Sequence, residues 1–407
     1  MKRDTPSIQL LSPDDYEPKS REFISQLVEK KPEVVVFGSQ NIGVVMLNAL
    51  YALGLPVICF CDNTPPESRV CYGLPCLTPA EAVAKHSDAI YVLSALDPSS
   101  CYKMRDQLVG LSADAIYCHW DIVYYAYVTS RRNVDKAAFS NALWSFWGQQ
   151  RDEALTIGSV SLRITSRCNL RCNGCLFLVP EQPKLHDYPL DELVTSLEAL
   201  CDMLDGILDL TVNGGETFMY SELDALLEAI ARIPKVINVV IATNGTIIPS
   251  DAVLKICADN AFRIRISNYG SITGVKDEIH KKCKDFGVAV YNYRFVEKWC
   301  DFGTTKHNRT DEENRAAADN CPYNDGKHYR GLGIYRRQVH LCDRFDGLSA
   351  CGYIEGDDYE DLHFDLETGD RDRAALRKFL QGKSLYKQCD MCNWPMGEIM
   401  SGEQLVG

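Results

Sequence analysis

The chain has little of several things, and each scarcity removes a class of protein. Its 407 residues contain no uninterrupted apolar run long enough to cross a bilayer. The most apolar stretch, Gly43 to Phe60, is broken by Asn48, Gly54 and Pro56 and reads as a helix followed by a strand. The opening Met1-Lys2-Arg3-Asp4 leads into no hydrophobic core of a secretory signal. Cationic excess is missing as well. Lys plus Arg is 43 against 56 for Asp plus Glu, a net charge of −13, so nothing draws the whole chain to nucleic acid or an anionic membrane. Repeats and low-complexity tracts are lacking, and 46% hydrophobic with 24% charged residues excludes collagen-like and disordered classes.

Cysteine, by contrast, is abundant, with 18 residues. In a chain without a secretory signal these belong in a reducing cytoplasm, where clustered cysteines mark metal sites more often than bridges. The length suggests two or three domains.

From Val34 the pattern is α/β. Val34–Phe37, Val57–Cys61, Ala89–Leu93 and Ala115–Cys118 read as buried strands, with helices to Leu53 and over Tyr102–Leu111. An open, Rossmann-like domain over 1–120 is expected. Residues 121–158 read as a helical linker, its stripe of Phe139, Leu143, Phe146 and Trp147 serving interdomain packing. A second series follows, with strands Ser161–Thr165, Leu208–Val212, Ile237–Ala242, Arg263–Ser267 and Val288–Tyr293. Helical patterns near 190–204, 221–232, 251–258 and 273–285 separate them, and a sixth strand has no obvious place. Residues 304–320 are polar and charged and read as a surface loop or lid. Beyond them, short strand-like pieces such as Arg336–Leu341 alternate with cysteine-bearing loops.

Cys168-Asn-Leu-Arg-Cys172-Asn-Gly-Cys175 directly follows the first strand of the second series. Three thiolates so spaced can bind three irons of a [4Fe–4S] cube and leave the fourth iron open for a ligand. Zinc would want a fourth ligand close by, and the nearest downstream histidine is His186. Gly214-Gly215-Glu216 follows the second strand, Thr243-Asn244-Gly245 the third, and Ser267-Asn268-Tyr269-Gly270 the fourth. This ordered set, over about residues 159–295, resembles the radical S-adenosylmethionine (SAM) superfamily.

The resemblance implies a partial (β/α)6 barrel over 159–303. Cys168, Cys172 and Cys175 would hold the cluster, whose open iron chelates the amino and carboxylate groups of SAM. Gly214 and Gly215 would let the backbone approach, and Glu216 would accept hydrogen bonds from the SAM amino group. Thr243, Asn244, Ser267 and Asn268 would face its ribose or carboxylate. The implied chemistry is one-electron cleavage of SAM to a 5′-deoxyadenosyl radical that takes hydrogen from a substrate. Many members carry an aromatic residue or histidine just before the third cysteine; here it is Gly174, and Phe177 is the candidate to replace it against adenine.

Cys321, Cys342, Cys389 and Cys392 are spaced Cys-x20-Cys, x46, Cys-x2-Cys, four ligands that by spacing alone suit zinc or iron–sulfur equally. After a radical SAM core, residues 304–407 resemble the twitch or SPASM-like extension that holds an auxiliary [4Fe–4S] cluster, with Cys351 a rival for one ligand position. The remaining cysteines, such as Cys59, Cys61 and Cys257, read as small buried hydrophobes.

Gly38-x4-Gly43 with Asp62 closing the next strand suggests a Rossmann turn, but Gln40 stands where a dinucleotide fingerprint needs its middle glycine. Asp62-Asn63, Gly73-Leu74-Pro75 and Thr78-Pro79-Ala80-Glu81 are similar to the Rossmann-like domain preceding some sugar acyltransferases.

Taken together, these resemblances imply hydrogen abstraction from a small-molecule carbohydrate, polyol or nucleotide-linked sugar, ending in oxidation or epimerisation. Ribosomal peptide modification and a non-catalytic iron–sulfur scaffold are the alternatives. The partners implied are a reducing protein such as flavodoxin or ferredoxin, with no nucleic acid and no membrane. Tyr293, Cys300 and Asp301 are candidate catalytic residues by position.

Overall fold

A computed structural model of the chain describes residues 26–39, 43, 46–47, 50, 54–71, 73–95, 98–113, 115–118, 155–267, 269, 272–292, 298–319, 321, 332–354, 363–367, 372–381, 387–393, 398–400 and 403–405. The chain divides into two compact units, Met1–Arg132 and Asn133–Gly407.

In the first unit, β1 (Val34–Phe37), β2 (Val57–Cys61), β3 (Val70–Cys71), β4 (Leu74–Leu77), β5 (Ile90–Leu93) and β6 (Ile116–Cys118) lie in the order β3-β4-β2-β1-β5-β6. All neighbours are parallel except the β3–β4 hairpin. The strand order reverses between β1 and β5. Right-handed crossovers then send helices to both faces, the doubly wound arrangement. Every residue of β1 and β5 is buried. The Rossmann-like expectation is borne out in this topology.

Two glycines close the turn after β1. A Cβ on Gly38 would stand 2.7 Å from the Ser94 carbonyl oxygen, and one on Gly43 2.1 Å from the Gly38 oxygen. Asp62 at the end of β2 accepts hydrogen bonds from the Ser39 amide (3.0 Å), the Ser39 hydroxyl (2.7 Å) and the Thr64 amide (3.0 Å). Its carboxylate therefore pins the turn. Thr78-Pro79-Ala80-Glu81 is a capping box opening α1 (Pro79–Lys85). Thr78 Oγ1 accepts from the Glu81 amide, and Glu81 accepts from the Thr78 amide. Next, α2 (Pro98–Gly110) starts four residues before its expected beginning at Tyr102. The expected helical linker falls almost wholly outside the described residues.

The second unit is built differently. β7 (Thr156–Thr165), β8 (Gly206–Gly214), β9 (Val236–Thr243), β10 (Arg263–Ile266) and β11 (Ala289–Asn292) are parallel and adjacent in chain order. Between them run α3 (Leu190–Met203), α4 (Leu223–Ala231), α5 (Asp251–Asn260) and α6 (Lys276–Phe286). Sequential order with right-handed crossovers keeps these helices on one face. Val160, Leu162, Leu210, Val212, Val239, Ile241 and Ile264 meet Leu197, Leu227, Leu254 and Ile279 in one core. Each such buried side chain contributes roughly 1.5–3 kcal/mol.

No sixth parallel strand extends the β11 edge among the described residues. β12 (Lys298–Cys300) instead pairs antiparallel with β16 (Glu398–Met400). The sixth parallel member is β13 (Leu332–Tyr335), which joins the other edge beside β7, and β14 (Gln338–His340) and β15 (His363–Asp365) continue the sheet antiparallel. Among the described residues the sheet is open and spans eight strands from β11 to β15. The Arg336–Leu341 segment, expected as a strand, is the turn and second arm of a hairpin. Arg336 and Arg337 take left-handed φ values of 51° and 56°, the twist of a two-residue type I′ connection.

Residues 304–320, expected as a loop or lid, contain α7 (Asp311–Asp319). Thr310 and Glu313 form its capping box, a sequence signal that composition alone had obscured. Two further helices, α8 (Phe345–Ala350) and α9 (Arg373–Gln381), follow among the described residues. No helix among the described residues is long and apolar enough to cross a membrane.

Candidate functional site

Three loops meet at the C-terminal edge of β7, β8 and β9. The first carries Cys168, Cys172 and Cys175, all half-buried. Burial raises the Cys168 thiol to about 11, and the neighbouring Glu216, Cys175 and Cys172 push it the same way. Cys172 is raised by burial as well. Several N–H groups point at these sulfurs. The Leu170 amide lies 3.4 Å from Cys168 Sγ, and Asn244 Nδ2 lies 3.7 Å from the same atom. Gln404 Nε2 donates to Cys172 Sγ at 3.2 Å. Three clustered cysteine sulfurs, with N–H donors on those of Cys168 and Cys172, suit an iron–sulfur cluster that would bind them as thiolates. Among the described residues no three Cys, His, Asp or Glu side chains could hold a single metal ion; the thiolates of a cubane bind separate irons.

The two glycines after β8 are required by the chain itself. A Cβ on Gly214 would fall 2.2 Å from the Thr165 oxygen, and one on Gly215 would fall 2.0 Å from the Arg167 oxygen and 3.0 Å from Cys168 Cβ. The Gly215 and Glu216 amides donate to those same carbonyls. The glycines thus bring the β8 loop against the cysteine loop, a use additional to the ligand approach expected of them.

Glu216 is fully buried. Oε1 accepts from the Phe218 amide (3.1 Å) and the Thr243 hydroxyl (2.8 Å), and Oε2 accepts from the Asn244 amide (2.7 Å). A carboxylate has about four acceptor positions, so the chain itself uses most of them. Burial raises its pKa, opposed by these three bonds. Asn244 Nδ2 also donates to Asn169 Oδ1 at 2.9 Å, linking the third loop to the first. Glu216, Thr243 and Asn244 therefore form one braced unit beside Cys168.

The Ser267 amide donates to the Thr243 oxygen at 2.8 Å. Tyr269, which sequence reasoning did not select, hydrogen-bonds Ser267 and lies within electrostatic reach of all three loop cysteines. Asn268 and Tyr293 lie outside the described residues. Cys300 ends β12, and Asp301 accepts from the Gly303 amide at 2.9 Å, closing a local turn. Gly174 adopts φ +63°, a value that favours glycine. Phe177 has one ring face taken by the Arg163 guanidinium, 4.3 Å from its centroid.

Below these loops, the sheet face away from the helices is polar. Strand alternation and register set Ser161, Arg163, Thr211, Asn213 and Arg265 there. Arg163 is fully buried and pairs with buried Asp346 at 2.9 Å, whose other oxygen lies 3.4 Å from Arg336. Tyr188 donates to Asp346 at 2.8 Å. Asn213, the residue before Gly214, donates to Ser161 Oγ at 2.6 Å. Ser161 in turn hydrogen-bonds Asp343, whose carboxyl burial raises to about 7. Asn213 Oδ1, Asn238 Oδ1 and Asp343 Oδ1 are buried acceptors without a donor among the described residues. None of these was legible as a site, because strand alternation identifies faces only once the helix-bearing face is known.

The four C-terminal cysteines also approach one another. Cys342 interacts electrostatically with Cys321 and Cys389, and Cys389 with Cys321 and Cys392. Arg309 donates to the Cys389 and Cys392 carbonyls at 3.0 and 2.8 Å, and Asp390 accepts from the Asn308 and Arg309 amides. The Cys-x2-Cys turn is thereby tied to residues 308–309. Cys351 caps α8 and has Glu181, Arg163 and Asp346 as its charged neighbours.

An open α/β sheet with a cysteine loop and braced Gly-Gly-Glu and Thr-Asn-Gly turns at its C-terminal edge defines a class of iron–sulfur enzymes. Residues 162–310 match the Radical SAM superfamily model, so this chain carries a radical SAM domain, the domain of a superfamily that uses a [4Fe–4S] cluster and SAM.

Among curated relatives, a GTP 3′,8-cyclase of Pelotomaculum thermopropionicum is 31% identical over 101 residues, 24% of this chain and 30% of that protein. A GTP 3′,8-cyclase of Stenotrophomonas maltophilia is 30% identical over 91 residues, 22% and 27% of the two chains. The chain thus spans under a third of the length of these relatives. Among solved structures, BtrN in complex with AdoMet and 2-DOIA aligns over 61% of this chain and 97% of its own, with a TM-score of 0.36 and 15% identity. SuiB of Streptococcus suis bound to S-adenosylmethionine aligns over 70% and 76%, with a TM-score of 0.33 and 14% identity.

Proposed function

We propose that this radical SAM enzyme removes a hydrogen atom from a small, hydroxyl-bearing molecule, such as a carbohydrate, polyol or nucleotide-linked sugar, leading to oxidation or epimerisation. The observation that carries this reading is the polar sheet face directly beneath Gly214. Buried acceptors with no donor of their own are costly, about 1–3 kcal/mol each, unless a guest supplies O–H or N–H groups. Asn213, Ser161 and Asp343 form a continuous hydrogen-bonded line along which carbinol hydroxyls would be held. A peptide with apolar side chains would leave these acceptors unmatched.

When bound, the cluster and SAM supply a 5′-deoxyadenosyl radical. Cys168, Cys172 and Cys175 would hold that cluster, and Gly214, Gly215, Glu216, Thr243, Asn244, Ser267 and Asn268 would surround SAM. In this assignment Glu216 mainly orders the Asn244 loop, and the β8 loop offers its backbone to the ligand. Cys321, Cys342, Cys389 and Cys392 would hold the auxiliary cluster, within residues 304–407. A reductant of the flavodoxin or ferredoxin class would deliver the electron, in a cytoplasmic setting.

A second reading follows from the relatives' names: a purine nucleoside triphosphate as substrate, its phosphates facing Arg265 and its neighbours. One experiment separates the two. The anaerobically reconstituted protein is given SAM and dithionite with nucleotide sugars, polyols, GTP or peptides, and 5′-deoxyadenosine is quantified. Acceleration by hydroxylated sugars supports the proposal; acceleration by GTP or peptide alone overturns it.

A further inference from the structure

The last described segment of the chain is built against the cysteine loop. Its hydrogen bonds are antiparallel: the Asn173 amide donates to the Glu403 oxygen at 2.7 Å, and the Leu405 amide donates to the Arg171 oxygen at 2.8 Å. Cys172 and Gln404 form a β-bridge between them. Side chains reinforce the pairing, since Asn173 Nδ2 donates to Glu403 Oε2 at 2.9 Å. The segment is itself anchored through β16, paired with β12 only a few residues earlier.

Gln404 is the centre of this arrangement. Its Oε1 accepts from the Arg171 amide at 2.8 Å, which fixes the carboxamide orientation, and its Nε2 donates to Cys172 Sγ at 3.2 Å. A glutamine held at both ends of its amide is an oriented dipole, with its positive end on one sulfur of the cluster loop.

We infer that residues 403–405 are a strap that secures the SAM-binding cluster, and that Gln404 sets its reduction potential through the N–H···S bond to Cys172. The inference rests on the cluster assignment made above. An N–H donor on a ligating sulfur stabilises the electron-rich reduced cluster more than the oxidised one, so it raises the potential. Backbone pairing on both sides of Cys172 also slows the loop opening that releases iron. The donor comes from a residue 232 positions away, so the C-terminal segment reports directly on the readiness of the cluster for reduction.

The test uses the full chain with Gln404→Leu, which removes the donor at similar size, and Gln404→Glu, which keeps the acceptor for Arg171 and replaces the donor with a carboxylate. A dithionite titration followed by electron paramagnetic resonance, with SAM added to identify the SAM-binding cluster, gives the midpoint. Chelator-driven iron loss gives the stability. The expected result is a more negative midpoint in Gln404→Leu, a larger shift in Gln404→Glu, and iron loss about tenfold faster when residues 403–407 are deleted. Unchanged midpoints and loss rates, with a wild-type cluster present, overturn the strap alone. A wild-type protein whose iron does not depend on Cys175 overturns the cluster assignment beneath it.

Discussion

The two sheets of this protein use the same strand–helix alternation and arrive at opposite results. In the first unit the strand order reverses beside β1, so right-handed crossovers on the two sides of that point lead to opposite faces. In the second, β7 to β11 follow one another in order, the helices stay on one face, and the other is left to polar side chains. Apolar burial stabilises each sheet within its own unit. The difference is topological: the first sheet buries both faces of β1 and β5, whereas the second leaves one face to mostly polar side chains. The loops show the same contrast. Asp62 uses its carboxylate to pin a turn, whereas the loops after β7, β8 and β9 converge on three thiols.

Substitutions in the two units should separate along this line. The largest effect is expected for Cys175→Ala, which should abolish 5′-deoxyadenosine formation and lower the iron content by roughly half from the roughly eight irons that the two proposed cubanes would hold. Iron analysis and product chromatography check both. Asp346→Ala should leave Arg163 buried without its main partner, at a cost of about 3–5 kcal/mol; urea unfolding reads the loss.

Asn213→Ala should reduce substrate-dependent turnover by about 10²-fold by misplacing the guest, while SAM cleavage in the absence of substrate stays at the wild-type rate. Parallel loss of both activities would remove Asn213 from the substrate face and make it a structural residue. The smallest effect is expected in the first unit. Thr78→Ala should lose about 1 kcal/mol through the cap of α1, with 5′-deoxyadenosine formation unchanged. A fall in that product would show that the first sheet serves the chemistry after all.

Much of the site was legible because its parts are local. Cys168, Cys172 and Cys175 sit within eight residues, and Gly214-Gly215-Glu216 and Thr243-Asn244-Gly245 each follow a strand whose apolar run is visible. The helix α7 was missed, because charge density in 304–320 suggested a loop and masked the capping pair Thr310 and Glu313. Gly214 and Gly215 were read as making room for a ligand; their immediate steric need is the backbone of Thr165 and Arg167.

By itself the sequence determined the alternation of strands and helices, the cysteine loop and the positions of the turns that join it, since each depends on residues a few positions apart. Tertiary structure alone decided that β13 would pair with β7, that Asp343 and Asp346 would meet Ser161 and Arg163, and that Gln404 would reach Cys172. Those contacts join segments more than 150 residues apart. They form because β7 has an open edge and a polar face, and the C-terminal segment carries the strand and the charges that satisfy them.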